Sequence, residues 1–436
     1  MKIIHGGVTA PIGFKANGLF CGIKKSKKRD LSLVVSEKIC DAAGVFTTNK
    51  VQASCIVVNK EQLKDGKAQA IIANSGNANC MTGRNGFENT RTMASQTAQF
   101  LKLNKKNVLV ASTGVIGKPL PIKKIIGALP ELVKGLSKKG SEYAAAGILT
   151  TDRMIKEVAV EFQIGKRRVR LGAVAKGAGM IEPQMALYPP KSFAKPAAKA
   201  SAPAYRSGRG LRPSTKTAGR HATMLCFVTT DAVITSSALR GALDTAVSKT
   251  FNTITIDGDM STNDMALIMA NGMAQNKRIT EKTKEFQVFA KALETLFLIL
   301  AKQMIRDAEG ATKFVEVSVK HAQTLEDARA VAKSIAKSSL VKCALFGCDP
   351  NWGRIAAATG YANAHVDPWK LHIYLGKELV LKNGGRVKQK AMALNRVFAQ
   401  KNIKITVDLG LGRQCATAYT CDFSIGYVRI NSAYRT

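Results

Sequence analysis

Thr223-Met224-Leu225-Cys226-Phe227-Val228-Thr229-Thr230-Asp231-Ala232-Val233-Ile234 is an apolar, β-branched run that opens on a single threonine. A continuous run of this kind predicts a strand over Met224–Ile234. Ser236 or Ser237 is placed to cap a helix running to about Lys249. Thr253-Ile254-Thr255-Ile256 then reads as a second strand, stopped by Asp257-Gly258. Further on, Leu293 to Arg306 predicts a long helix and Phe314 to Val319 an alternating strand. Thr324-Leu325-Glu326-Asp327 predicts a capped helix to about Lys337. Upstream, Lys106 to Ala111 reads as a buried strand that turns at Ser112-Thr113-Gly114, with a helix from near Pro121. Strands and helices that alternate along 436 residues predict a mixed α/β protein with layered sheets.

One stretch breaks the pattern. Residues 187–222 are rich in Lys, Arg, Pro and Ala and hold no acidic residue. Such a composition does not bury enough apolar surface to offset the entropy of ordering. The expected organisation is therefore a region 1–186, a disordered basic insertion 187–222, and a region 223–436.

The net charge of +36 permits contact with phosphates. The lysines are spread along the chain, however, and only 6% of residues are aromatic. No RNA-recognition or helix-turn-helix signature is present, so solvated lysine faces and no specific nucleic-acid partner are expected. Nine cysteines include no C-x-x-C pair, which predicts neither a disulfide framework nor a zinc site and points to a reducing cytosol. The N-terminus lacks the apolar stretch of a secretion signal, and the run Leu296–Ala301 is far short of a membrane span. A cytoplasmic protein without membrane attachment is the expectation. The five histidines show no H-x-x-x-H spacing, and no Walker loop or G-x-S-x-G elbow appears, so no metal or bound cofactor is expected.

Polar, glycine-rich islands close the apolar runs, where sites are commonly built. They are Asn74-Ser75-Gly76-Asn77-Ala78-Asn79, Ser112-Thr113-Gly114-Val115-Ile116-Gly117, Thr150-Thr151-Asp152, Lys176-Gly177-Ala178-Gly179-Met180-Ile181, Ala222-Thr223-Met224-Leu225, Asp257-Gly258-Asp259-Met260-Ser261-Thr262-Asn263-Asp264, Glu309-Gly310-Ala311-Thr312-Lys313 and Asp349-Pro350-Asn351-Trp352-Gly353-Arg354. Singly, each reads as an ordinary turn. In this order, they resemble the ornithine acetyltransferase family, also called the bifunctional glutamate N-acetyltransferases. The likeness spans the chain outside 187–222 and reaches Tyr427-Val428-Arg429-Ile430-Asn431 and the terminal Thr436.

The resemblance implies a layered α/β sandwich formed by two fragments of one precursor. It implies self-cleavage between Ala222 and Thr223, with Thr223 as nucleophile and Thr113 and Gly114 as the oxyanion hole. Thr150, Lys176, Thr223, Glu309, Asn431 and Thr436 match the substrate contacts. The implied reaction moves an acetyl group from N2-acetylornithine to glutamate, in arginine biosynthesis, with acetyl-CoA admitted as a second donor. Two α and two β fragments are the implied assembly. The chemistry is coherent on its own terms. A threonine hydroxyl needs a base, and a freed α-amino group has a reference pKa of about 7.7–8.0. The sequence departs from the family pattern in two respects. Residues 187–222 separate Ala186 from Thr223, and Met260 stands where the family has a polar or small residue. Two rivals remain at this stage. One is a related N-terminal-nucleophile hydrolase or aminopeptidase. The other is an inactive homologue that binds RNA through its basic surface.

Overall fold

The computed structural model describes residues 1–188 and 223–433. One large sheet is built from β1 (Lys2–Ile4), β2 (Phe14–Leu19), β3 (Leu31–Thr47), β4 (Lys67–Asn77), β5 (Val108–Val115), β6 (Lys156–Ile164), β7 (Arg167–Lys176), β8 (Met185–Leu187), β9 (Leu225–Thr230) and β10 (Met265–Ala270). The order is β1-β6-β7-β9-β10-β3-β4-β5, with β2 and β8 also paired to β3. The strand predicted from Met224 is β9, at the middle of the sheet. It runs parallel to β10 and antiparallel to β7.

Burial on both faces explains why β9 reads as an unbroken apolar run. Cys226 and Val228, with Ala266 and Ile268 of β10, join a core with Leu239, Leu243, Phe289 and Leu293 from the helices Ser236–Lys249 and Lys284–Arg306. Leu225 and Phe227, with Met265 and Leu267, join a second core with Ile56 and Ile125 from the helices Ser54–Gln62 and Ile122–Lys134. Layered α/β architecture is thus what forms.

A smaller sheet of β11 (Phe314–Ala322), β12 (His372–Leu375), β13 (Glu378–Lys382), β14 (Gly385–Arg386), β15 (Asn402–Asp408) and β16 (Gln414–Cys421) has the order β14-β13-β12-β15-β11-β16. The helix Leu325–Lys337 covers it and opens on the expected capping box, in which Thr324 and Asp327 bond reciprocally. Thr255 N donates to the Tyr419 carbonyl at 3.0 Å and ties the sheets together.

Five expectations need correction. β5 begins at Val108, behind the 3-10 turn Lys105–Asn107, and runs on to Val115, so Ser112-Thr113-Gly114 continues the strand and is not a turn. β9 stops at Thr230, not Ile234, because the Asp231 carboxylate is drawn aside by the N–H groups of Ile12 and Arg170. Thr253–Ile256 is no ladder strand. Its first residue closes the 3-10 turn Phe251–Thr253, and it makes a single bridge, from Ile254 to Tyr419. The helix after β9 is capped by Thr235, whose side chain accepts from Ala238 N, while Ser236 donates to Asp41 at 2.6 Å. The long helix predicted from Leu293 already begins at Lys284. In addition, Leu187, the first residue of the segment read as disordered, is buried in β8 against Val45. Residues 189–222 lie outside the described residues.

Candidate active site

The registers bring three strand ends together. Leu225 at the start of β9 pairs with Lys176 at the end of β7 and with Met265 at the start of β10. Thr223, the residue before Met224 at this junction, is 2% exposed. Its Oγ1 lies 2.8 Å from Ser261 Oγ, and Asn263 N donates to that same Ser261 oxygen at 3.2 Å. The next backbone N–H, of Met224, donates to Asp264 Oδ1 at 2.9 Å. The polar loop ahead of β10 therefore wraps the threonine on two sides.

β5 reaches the same place by a bend. Beside Thr113 and Gly114 the ladder between β4 and β5 slips register, at Gly76 and Asn77. The Asn263 side-chain amide then donates to the carbonyls of Ser112 and Ala78, both at 2.8 Å. Thr113 is fully buried. Gly114 has φ +135° and presses on the end of β4; a Cβ there would come 2.3 Å from Gly76 C and 2.4 Å from Asn77 N. Only glycine fits that approach.

Lys176 joins the two halves of the site. Its Nζ donates to Thr150 Oγ1 at 2.8 Å and to Thr113 Oγ1 at 3.3 Å, and stands 3.9 Å from Asp152 Oδ2. Burial lowers the Lys176 ammonium to a pKa of about 8, against the pull of Asp152 and with help from the charge of Lys156. Of the Thr150–Thr151 pair, Thr150 carries the contact. Thr151 Oγ1 is buried without a hydrogen-bond partner.

Beyond Lys176 the chain turns through Ala178 and Gly179, and this turn seats Glu309. Glu309 N donates to the Ala178 carbonyl at 2.8 Å, and a Cβ on Gly179 would fall 2.6 Å from Glu309 Oε2. Asn431 Nδ2, on the helix Ile425–Ser432, donates to the same Oε2 at 3.0 Å. The expected site residues Thr223, Thr113, Gly114, Thr150, Lys176, Glu309 and Asn431 are thus linked by short chains of contacts. Ala222 and Thr436 lie outside the described residues.

Sequence reasoning missed the buried charges beneath. Lys156 Nζ, fully buried, bonds Asp152 Oδ1 at 2.8 Å and Asp307 Oδ2 at 2.5 Å. Asp152 also accepts from Gly177 N at 2.7 Å and Thr150 N at 3.1 Å, so it fixes both neighbours of the site. Burial alone would raise its carboxyl, but Lys156 and Lys176 outweigh that and hold it well below the usual carboxylate range. Lys156→Met should therefore cost roughly 3–5 kcal/mol, because two buried carboxylates lose the ammonium between them, while Asp152 keeps Lys176 at 3.9 Å and Asp307 keeps Arg153 at 3.3 Å. A free energy of unfolding in urea changed by less than about 1 kcal/mol would count against this reading of the cluster. Ser261 and Asp264 stood in a quoted island without a role. Asp307 gave no local signal at all.

Among the described residues no group of three or more His, Cys, Asp or Glu side chains is arranged to hold a metal ion. No helix there is long and apolar enough to cross a membrane. All nine cysteines are free.

A family profile described as the ArgJ family matches residues 15–436. An arginine biosynthesis bifunctional protein ArgJ from Caldanaerobacter subterraneus is 43% identical over 440 residues, covering 100% of both chains. The protein of that name from Streptococcus mutans is also 43% identical over 441 residues, again covering 100% of both. A crystal structure of an arginine biosynthesis bifunctional protein from Bacillus halodurans is 41% identical, with a TM-score of 0.46. It covers 47% of this chain and 97% of its own.

Proposed function

This chain belongs to the ArgJ family, and we propose on that basis that it transfers the acetyl group of N2-acetylornithine to glutamate in arginine biosynthesis, through an ester on Thr223. The observation that carries the reading is the environment of Thr223. Its hydroxyl is buried, hydrogen-bonded to Ser261, and sits at a strand junction with Lys176, which reaches Thr113 and Thr150.

The cycle begins with a cut in the precursor. Thr223 Oγ1 attacks the Ala222 carbonyl carbon, the acyl group moves from nitrogen to oxygen, and water hydrolyses the ester. The chain then consists of residues 1–222 and 223–436, with a free α-amine on Thr223. The fragments remain joined, because β9 and β10 of the second are laddered to β7 and β3 of the first. An assembly of two copies of each fragment, in the cytoplasm, completes the proposal.

In turnover the amine takes the hydroxyl proton as the oxygen attacks the acetyl carbon. The π-electron pair moves to the carbonyl oxygen, which Thr113 and Gly114 near the end of β5 receive. The amine returns its proton to ornithine nitrogen as the C–N bond breaks. The glutamate amine then attacks the acetyl carbon of the ester and gives a proton to the Thr223 amine; the acetyl C–Oγ1 bond breaks, Oγ1 takes that proton back, and N-acetylglutamate leaves. Lys176 suits the substrate carboxylate, with Thr150 beside it. Glu309, oriented by Asn431, suits the ornithine side-chain ammonium. Acetyl-CoA acylating the same oxygen is the second activity proposed, in keeping with relatives called bifunctional.

Incubation with N-acetylornithine and glutamate should yield equal amounts of ornithine and N-acetylglutamate. Release of acetate at the same rate with or without glutamate would replace transfer by hydrolysis. Acetyl-CoA with glutamate forms the second arm.

A further inference from the structure

Among the described residues, Asp264 Oδ2 is the only carboxylate oxygen that is buried without a hydrogen-bond partner. The side chain is fully buried, and its other oxygen is already engaged by Met224 N, the residue next to Thr223. Its backbone is fixed as well, since Thr47 N donates to the Asp264 carbonyl at 2.9 Å and Met265 N to the Met224 carbonyl at 3.2 Å. An unsatisfied buried carboxylate oxygen is costly. It asks for a donor that appears in another state of the molecule. Cleavage before Thr223 creates one in the immediate neighbourhood, a nitrogen with two or three N–H groups in place of an amide.

We infer that Asp264 is a positioning residue for catalysis, the carboxylate that receives and orients the freed amine of Thr223. The inference rests on the proposed N-terminal threonine and goes beyond it. A base of this kind is commonly steered by a third group that stabilises the cation formed when it accepts a proton. As Thr223 Oγ1 bonds to the acetyl carbon, its proton passes to the α-amine. The ammonium so formed lies against Asp264, and the proton goes on to the departing nitrogen. Asp264 neither gains nor loses a proton in the cycle.

The carboxyl is held in a responsive range. Burial raises it to about 8, opposed by the Met224 N–H, by Lys176 on β7 and by the backbone N–H of Ser261, with Asp257 of its own loop adding to the rise. An incoming ammonium would favour its ionised form. In return, the carboxylate raises the amine's pKa.

Asp264→Asn and Asp264→Glu in the full-length chain test this, read by intact mass, by circular dichroism, and by kcat and KM from pH 6 to 9.5. The expectation for a folded Asp264→Asn chain that cuts itself is a fall in kcat of about 100-fold or more. KM should change little, and the acid limb of kcat should move down by about one pH unit as the amine loses its anion. A folded Asp264→Asn chain that stays uncut while Asp264→Glu cuts also supports the role, since cleavage releases this same nitrogen. Asp264→Asn that cuts and turns over within about threefold of the parent, with an unmoved limb, overturns it. So does Asp264→Glu behaving no better than Asp264→Asn, or an Asp264→Asn chain that is unfolded. Thr223→Ala runs in parallel. If that variant keeps its turnover, the proposed nucleophile itself fails; if it is dead while Asp264→Asn is normal, only the role of Asp264 falls.

Discussion

Thr223→Ala should leave a single full-length chain with no measurable transfer, a loss of about 10⁴-fold or more in kcat. Two steps fail together. Without Oγ1 there is no acyl shift, so the backbone nitrogen of residue 223 stays an amide and never becomes a base. Without Oγ1 there is also no atom to carry the acetyl group. The fold should barely notice. The substitution removes one hydroxyl contact, to Ser261, worth about 1 kcal/mol, and alanine is tolerated at the head of a strand. Intact mass and thermal unfolding separate the effects: one species near 46.7 kDa, an unfolding midpoint within a few degrees, no N-acetylglutamate. Thr223→Ser should behave differently, because serine keeps both the hydroxyl and the nitrogen. It should still cut, with slower turnover. If the alanine variant still cleaved before residue 223, or retained a tenth of the activity, the nucleophile would have to be sought elsewhere.

The contrast between what the chain announces and what it hides follows from distance. β9 was legible because both its faces are buried and both are therefore apolar over consecutive residues. The helix Leu325–Lys337 was legible because its capping box lies within four adjacent residues. The cap after β9 was misassigned by one position. Three hydroxylated residues stand in a row there, and the choice was made by Asp41, 195 residues away, which takes the Ser236 hydroxyl. The site divides in the same manner. Islands at strand ends mark Thr113, Lys176 and Thr223, and islands behind the helices Ser141–Ile148 and Lys284–Arg306 mark Thr150 and Glu309, since chemistry needs polar groups where apolar runs stop. The Lys156–Asp307 bond spans 151 residues and neither partner sits in an unusual local pattern. The orphaned oxygen of Asp264 is a property of packing alone. No reading of Asp-Gly-Asp-Met-Ser-Thr-Asn-Asp distinguishes it from the other acids of the loop.

Gly114→Ala is the second large effect expected, and it separates the end of β5 from the bend at Gly117 that follows it. At Gly114 the backbone takes φ +135°, a region that side chains rarely enter. The added Cβ would meet Gly76 C and Asn77 N at 2.3 and 2.4 Å, backbone atoms of β4 that no rotamer change can move. The ladder between β4 and β5 must open, and the amides at 113 and 114 shift with it. Donors that stabilise an oxyanion act only when aimed at the charge as it forms, and one of them is commonly worth about 2.7–4 kcal/mol. A kcat reduced about 100- to 1,000-fold is therefore expected, with KM for N-acetylornithine far less changed, because Lys176, Thr150 and Glu309 are left in place. Gly117 supplies the control. It also has positive φ, +80°, but no atom lies within 4 Å of its Cβ position. Gly117→Ala should cost about 1–2 kcal/mol of backbone strain and little turnover. Equal losses of kcat in the two variants would mean that strain, not the approach of β5 to β4, governs the loss, and the assignment of residues 113 and 114 to the oxyanion would lose its support.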